Sequence, residues 1–271
     1  MMEAKLLRQR LEYGETVFGT MLSEIYVPNI VRLLQGCGFS FLILDGEHGY
    51  FDLTQMANII AVADGIGLPI IVRVASPEKG RLTKIMDMGA SGVLLSNTET
   101  VEDARRLVDA CMYAPVGNRG VSTFRAHTNY HPGDLECTMR AANARNLIIC
   151  QIESEGAAER AKDLLAVPGV SGAMVGPNDM SQHMGILGQY AHPRMVRALR
   201  LVSEAAAANG KWSGVITGNA GLIRQCRELG MTCFSAGSEL NMLASGGKKT
   251  MEMLRQQTAR DLEDASDGKA D

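Results

Sequence analysis

Short runs of apolar and β-branched residues alternate with longer amphipathic stretches along the whole chain. The short runs predict buried strands, and the stretches between them predict helices because their apolar residues recur every three or four positions. Strands are predicted at 16–22, 39–45, 69–74, 92–95, 147–152, 172–176, 212–216 and 231–236. Helices are predicted at 28–34, 53–63, 79–88, 101–112, 134–144, 156–165, 194–208, 221–229 and 239–262.

This alternation predicts βαβ units and a parallel sheet. Eight such units in 271 residues match a closed (β/α)8 TIM barrel, which typically takes about 250 residues. The competing doubly wound fold is expected to carry G-x-G-x-x-G after its first strand, but residues 23–29 read SEIYVPN. We therefore predict an α/β, single-domain barrel over residues 1–260, followed by a flexible acidic tail at 261–271.

Composition narrows the class of protein. Apolar residues make up 46% and charged residues 21% of the chain, no apolar run approaches membrane-spanning length, and the N-terminus has no apolar signal core. These features predict a cytoplasmic protein with no membrane partner. The net charge of −3 comes from the acidic tail, and Lys and Arg are scattered, so no nucleic-acid partner is expected. Six cysteines without a CxxC pair predict reduced thiols.

Acidic residues follow two consecutive predicted strands. Glu153 ends the fifth strand and Asp179 follows the sixth, at the end of a parallel barrel where chemistry gathers. Two carboxylates without His or Cys form an oxygen-only site that suits Mg²⁺ or Mn²⁺ retaining several waters. Alternatively, both acids only stabilise the first turns of helices, one of them beginning at Met180. The pairing, with Gln151 alongside, favours the metal.

Other polar residues end neighbouring strands. In LDGEHG, Asp45 lies three residues before His48 and is predicted to orient its imidazole as a general base. Arg73 follows the apolar run PIIV, so it needs an anionic partner. That partner is either Asp45 or Glu47 in a structural ion pair, or a substrate oxygen on which negative charge develops. The GPND turn at 176–179 precedes a helix and offers backbone N–H groups to a carboxylate.

Several segments resemble one known family. LDGEHG, VRV, MDMGASGVL, YAPVGNRG, QIES and GPNDMS occur in the order found in the HpcH/HpaI aldolases, which are class II, metal-dependent pyruvate aldolases, and the resemblance covers residues 16–243. It implies a TIM barrel whose C-terminal helix is exchanged between subunits of a homo-oligomer, commonly a hexamer built as a trimer of dimers.

The resemblance also implies an activity and a role for each residue. The reaction is the reversible cleavage of a 4-hydroxy-2-oxo acid to pyruvate, or a related 2-oxo acid, and an aldehyde through a metal-stabilised enolate. Asp87 is expected to reach a neighbouring subunit's site. The remaining roles are metal binding by Glu153 and Asp179 (Mg²⁺ or Mn²⁺, with Co²⁺ possible), keto-oxygen binding by Arg73, proton transfer by His48 with Asp45, and substrate seating by Gln151, Gly176, Pro177 and Asn178.

Two segments depart from the family pattern: SNTET at 96–100 and STFRAHTNYHPG at 122–133. Arg125, His127 and Tyr130 in the second segment either line the aldehyde side, which would indicate a polar or anionic acceptor, or belong to a subunit interface. Two other functions stay open. One is a lyase, decarboxylase or hydrolase acting on a related oxo acid or CoA thioester, as in citrate-lyase-like relatives, and the other is a non-catalytic metabolite-binding barrel.

Overall fold

Eight parallel strands close into one barrel in the order in which they occur along the chain, and β8 pairs with β1. The structure is a computed structural model that describes residues 2–267, with side chains described for 7–259. The predicted (β/α)8 fold is confirmed, and every predicted strand is present. The strands are β1 Val17–Leu22, β2 Phe41–Asp45, β3 Ile70–Val74, β4 Gly92–Leu95, β5 Leu147–Ile152, β6 Gly172–Val175, β7 Trp212–Ile216 and β8 Cys233–Ser238.

Helices surround the barrel and follow the predicted order, with three differences besides the longer last helix described below. A first helix precedes β1 and was not predicted, the helix predicted at 156–165 is two helices, and the helix predicted to begin at Met180 begins at Pro177. The helices are α1 Met2–Glu12, α2 Ile30–Gly36, α3 Leu53–Gly65, α4 Lys79–Asp87, α5 Val101–Cys111, α6 Leu135–Arg145, α7 Glu155–Glu159, α8 Ala161–Ala166, α9 Pro177–His183, α10 Pro193–Ala208, α11 Ala220–Glu228 and α12 Glu239–Asp267.

The interior of the barrel is an apolar layer with a polar layer above it. Ile43, Ile71 and Ile149 belong to the inner hydrophobic cluster. Since successive side chains of a strand point to opposite faces, the residue two positions further along each strand also points inward. Those residues are Asp45, Arg73 and Gln151, at the carboxyl ends of β2, β3 and β5.

Helix α1 covers the opposite end of the barrel. Leu7 and Leu11 of α1 are buried in the inner hydrophobic cluster. The Arg8 Nη1 atom donates to the carbonyl oxygens of Asn143 and Asn146, at 3.1 Å and 3.0 Å, just before β5 begins. The helix therefore closes the amino-terminal end of the barrel, and the carboxyl-terminal end is left as the mouth.

The last helix is longer than predicted and carries exposed apolar side chains. It reaches Asp267, and residues 268–271 of the acidic tail lie outside the described residues. Leu243 and Met253 are 66% and 61% exposed. Exchange of α12 between subunits and assembly of a hexamer stay predictions. In the described part of the chain, no helix is both long enough and apolar enough to cross a bilayer.

Replacing Gly214 by Ala is expected to lower the free energy of unfolding by about 3 kcal/mol or more, because overpacking of a rigid core is costly. A Cβ at Gly214 would overlap the carbonyl oxygen of Cys233, its partner on β8. The matched control is Gly36→Ala, where nothing lies within 4 Å and Ala favours the helix by up to about 1 kcal/mol. Urea unfolding measures both, and equal effects would contradict the packing argument.

Candidate active site

The central contact of the mouth is an ion pair between Asp45 and Arg73. These residues are direct neighbours on β2 and β3, and both are buried. Arg73 donates from Nε to Asp45 Oδ1 at 2.9 Å and from Nη2 to Asp45 Oδ2 at 2.7 Å. Burial raises the pKa of Asp45, but the hydrogen bonds and charge of Arg73 outweigh it, so this pKa lies below its ordinary value.

Glu47 extends this ion pair toward β4. Its Oε2 lies 3.2 Å from Arg73 Nη1, and its Oε1 accepts a hydrogen bond of 2.7 Å from Ser96 Oγ, just after β4. Arg73 thus faces two carboxylates, which confirms the interpretation of Arg73 as a member of a structural ion pair. The guanidinium also lines the cavity described below, so it remains available to a substrate.

The predicted pairing of Asp45 with the imidazole of His48 is wrong. Asp45 Oδ1 accepts hydrogen bonds from the backbone N–H groups of Glu47 and His48, at 3.1 Å and 3.3 Å. The physical reason is the tight turn after β2, which directs the backbone of His48 toward Asp45 and its side chain outward. The imidazole is 73% exposed, and its Nε2 lies 4.0 Å from Glu47 Oε2.

Glu153 is a buried carboxylate held by two hydrogen bonds. Oε1 accepts from Gln151 Nε2 at 2.6 Å and Oε2 accepts from the Asn97 N–H at 2.8 Å. Burial and the nearby charges of Asp179 and Glu47 raise the pKa of Glu153 to about 7, although the Asn97 N–H and Arg73 act in the opposite direction. The site therefore concentrates negative charge around a desolvated carboxylate.

A glycine allows Glu153 to approach the start of α9. A Cβ at Gly176 would overlap Glu153 Oε1 and lie 2.9 Å from Gln151 Nε2. Pro177 is the first residue of α9, and Asp179 lies in its first turn. Gln151 and Glu153 can therefore lie close to the first turn of α9, because Gly176 has no side chain at the point of contact.

One cavity of about 400 Å³ unites these groups at the carboxyl ends of the strands. Eight of the predicted site residues line it: His48, Arg73, Gln151, Glu153, Gly176, Pro177, Asn178 and Asp179. Asp45 reaches it through Arg73. Within residues 7–259, no group of three or more His, Cys, Asp or Glu side chains is arranged to hold a metal ion. A cation held here would have two carboxylate ligands and complete its shell with water or substrate oxygens.

Asp87 does not lie at this cavity. It ends α4 at the amino-terminal end of the barrel, where Arg119 Nη2 donates to its Oδ1 at 2.5 Å. The segment 122–133 lies at the same end, because it belongs to the connection from α5 to β5. Arg125, His127 and Tyr130 therefore do not line the cavity of their own chain. Contacts of Asp87 and this segment with a neighbouring subunit stay predictions.

Three contributors to the site were missed in the sequence. Asn97 has a left-handed backbone (φ 47°), a conformation that Asn tolerates better than most residues, and this directs its N–H to Glu153. His183 Nδ1 lies 2.9 Å from the carbonyl oxygen of Glu153, and Tyr190 donates to Asn178 Oδ1 at 2.5 Å. The Asn after β4 was a detectable turn signal, whereas the other two contacts join distant segments.

A closed (β/α)8 barrel with an acidic cavity and a buried Arg at the carboxyl ends of its strands has the architecture of a barrel enzyme. Residues 23–245 match the HpcH/HpaI aldolase/citrate lyase family, and the chain belongs to that family.

Individual relatives agree with this assignment. The chain is 32% identical to a hydroxypyruvate/pyruvate aldolase of Roseobacter denitrificans, an alignment that covers 92% of this chain and 96% of that one. It is 31% identical to a 5-keto-4-deoxy-D-glucarate aldolase of an Enterobacter species, over 86% and 90% of the two chains. The crystal structure of an HpcH/HpaI aldolase from Desulfitobacterium hafniense superposes with a TM-score of 0.84 at 29% identity, covering 91% and 96%.

Asp45→Asn is expected to lower the free energy of unfolding at neutral pH by about 3 kcal/mol, because it leaves the buried Arg73 without its bidentate partner. The folded-state pKa of Asp45 is depressed, so its contribution is complete above the unfolded-state pKa of about 4 and is lost as pH falls through the folded-state value. Urea unfolding at neutral pH and near pH 3 should show the difference from wild type shrinking in acid.

The control for this prediction is Glu159→Gln, which removes a carboxylate from an exposed pair with Arg197 and should change stability by less than about 1 kcal/mol. A wild-type advantage over Asp45→Asn that stays constant with pH would contradict the electrostatic account.

Proposed function

We propose that this protein is a divalent-metal-dependent aldolase that reversibly cleaves a 4-hydroxy-2-oxo acid to pyruvate, or a related 2-oxo acid, and an aldehyde. The observation that carries the proposal is the pair Glu153 and Asp179 in one cavity with Arg73. Membership of an aldolase family supports the reaction class, and the relatives that act on pyruvate and oxo sugar acids support the substrate class.

The donor set fits a hard divalent cation. Two carboxylates of like charge raise each other's affinity for a positive ion, and the raised pKa of Glu153 reflects its burial first and then the repulsion by Asp179. Gln151 Oε1 is buried without a hydrogen-bond donor among the described residues, which leaves it free to accept from a hydrating water. Glu153 and Asp179 would hold Mg²⁺ or Mn²⁺, with Co²⁺ possible.

When bound, the cation would polarise the keto group and acidify the adjacent C–H. Arg73 supplies the second positive charge. Asp45 and Glu47 fix its plane, so the guanidinium that lines the cavity is positioned before an oxygen on which negative charge develops binds there. Gln151 and the backbone at 176–178 are proposed to seat the carboxylate of the 2-oxo acid.

His48 is proposed to move the proton. Its imidazole lies on the cavity wall, accessible to solvent, and Glu47 is the nearby carboxylate that can orient Nε2. In the cleavage direction, the base removes the proton of the C4 hydroxyl, the C3–C4 bond breaks, and its electron pair remains on C3 as the enolate. Protonation of C3 then gives the 2-oxo acid, and the former C4 leaves as the aldehyde.

Two separate measurements, Mn²⁺ binding and pyruvate enolisation, test the proposed metal site. Wild type should bind Mn²⁺, as measured by electron paramagnetic resonance. It should exchange pyruvate methyl protons with D₂O, as measured by NMR, only when Mg²⁺ or Mn²⁺ is present. Glu153→Gln should weaken Mn²⁺ binding at least about tenfold. Glu155→Gln, at a partly exposed partner of Arg194 outside the cavity, serves as the control. Exchange that persists in EDTA would exclude the metal-dependent mechanism.

Arg73→Lys keeps a positive charge but loses the planar fork that matches Asp45. We expect kcat for pyruvate exchange to fall at least about 100-fold, with Mn²⁺ binding retained because Arg73 is not a proposed ligand. Arg81→Lys, on the neighbouring surface near the Gly46 carbonyl, should keep near wild-type rates. Rates close to wild type in Arg73→Lys would rule out charge stabilisation by Arg73.

A further inference from the structure

The cavity has a second wall, formed by the ends of other strands than those that carry the carboxylates, that the proposed reaction does not yet use. Ser23, Thr217, Ser238 and Asn241 line it from the ends of β1, β7 and β8 and from the first turn of α12. All four carry neutral hydroxyl or amide groups. We propose that this wall binds the aldehyde partner and selects a small, neutral hydroxyaldehyde, with Asn241 as the residue that determines the preference. This inference rests on the proposed aldolase function.

Asn241 lines the cavity, and its side-chain oxygen is already engaged. Asn241 Oδ1 accepts from the Ser238 N–H at 3.2 Å and from Ser238 Oγ at 2.9 Å. In return, Ser238 Oγ accepts from the Asn241 N–H at 3.4 Å. This reciprocal pair caps α12 in the manner of a capping box. The Nδ2 group of Asn241 is left to donate to an oxygen of the ligand.

The rest of the wall is held in position before any ligand binds. The buried carboxylate of Glu239 accepts hydrogen bonds from the N–H groups of Ser23 and Glu24, at 2.8 Å and 2.7 Å. The Thr217 hydroxyl accepts from the Asn219 N–H at 3.2 Å, so its own hydrogen remains available for donation. A fixed row of donors favours a ligand that carries acceptor oxygens.

Charge and polarity exclude other acceptors. The four residues of the second wall are uncharged, and Arg73, the guanidinium of the described cavity lining, is proposed to bind the keto oxygen of the 2-oxo acid. An acceptor carboxylate would therefore meet no cation at this wall. The apolar side chains of this lining are Met21, Pro177 and Ile216, too few to enclose an aromatic or long alkyl aldehyde. Hydroxyl groups therefore suit the second wall best.

The test compares glycolaldehyde with acetaldehyde, which differ by one hydroxyl group, as acceptors for pyruvate. Wild type should favour glycolaldehyde in kcat/KM by about tenfold or more, because a site built to bind a hydroxyl discriminates against the analogue without it. Asn241→Asp keeps the oxygen that caps α12 and removes the Nδ2 donor. The preference should fall about fivefold or more, and pyruvate methyl exchange should continue.

Asn219→Asp is the matched control. It adds the same charge at the same rim, and its oxygen still caps α11 through the Leu222 N–H, but Asn219 is not part of the cavity lining. This variant should keep the wild-type preference. An equal loss for both aldehydes in Asn241→Asp, or no preference in wild type, overturns the inference while exchange of the pyruvate methyl group continues. Failure of that exchange in wild type overturns the aldolase proposal itself.

Discussion

The mouth of this barrel depends on the buried pairing of Asp45 with Arg73. Either charge alone would be prohibitive above an apolar layer of isoleucines, and the two together satisfy each other through two hydrogen bonds. The pair fixes the guanidinium plane, and Glu47 forms an ion pair with the guanidinium in that orientation. Glu47 in turn adds to the negative field around Glu153. A single pair of neighbouring strand residues therefore organises charge across the whole mouth.

Most of the fold and much of the site could be predicted from the sequence, because the alternation of side chains along a strand and the order of the strands depend on local sequence. Period-two alternation and strand order bring Arg73, Gln151 and Glu153 to one end of a parallel barrel, and the structure puts them in one cavity. The sequence offered two partners for Asp45, the imidazole of His48 and the guanidinium of Arg73, and it did not decide between them. Sequence proximity favours His48, but strand register makes Arg73 the lateral neighbour of Asp45, and a bidentate guanidinium is the stronger ligand.

The long connection before β5 shows a different limit. Its arginine, histidine and aromatic residues have the composition of a binding loop, which favours a role at the aldehyde side. Its position between a helix and the next strand, however, assigns it to the amino-terminal end of any parallel barrel. Topology therefore separates this loop from the cavity of its own chain, which residue type alone does not. The contacts of His183 and Tyr190 could not be predicted from the sequence for another reason, since they join segments whose packing no short motif encodes.

Helix α12 carries Asn241 of the cavity wall in its first turn and continues as a long element with exposed apolar side chains. The capping contacts that fix Asn241 are the same contacts that fix the direction in which this helix leaves the barrel. Any contact that shifts the far part of the helix therefore also shifts its first turn. Assembly of subunits through that part of the helix would thus couple quaternary packing to the residue that is proposed to select the aldehyde.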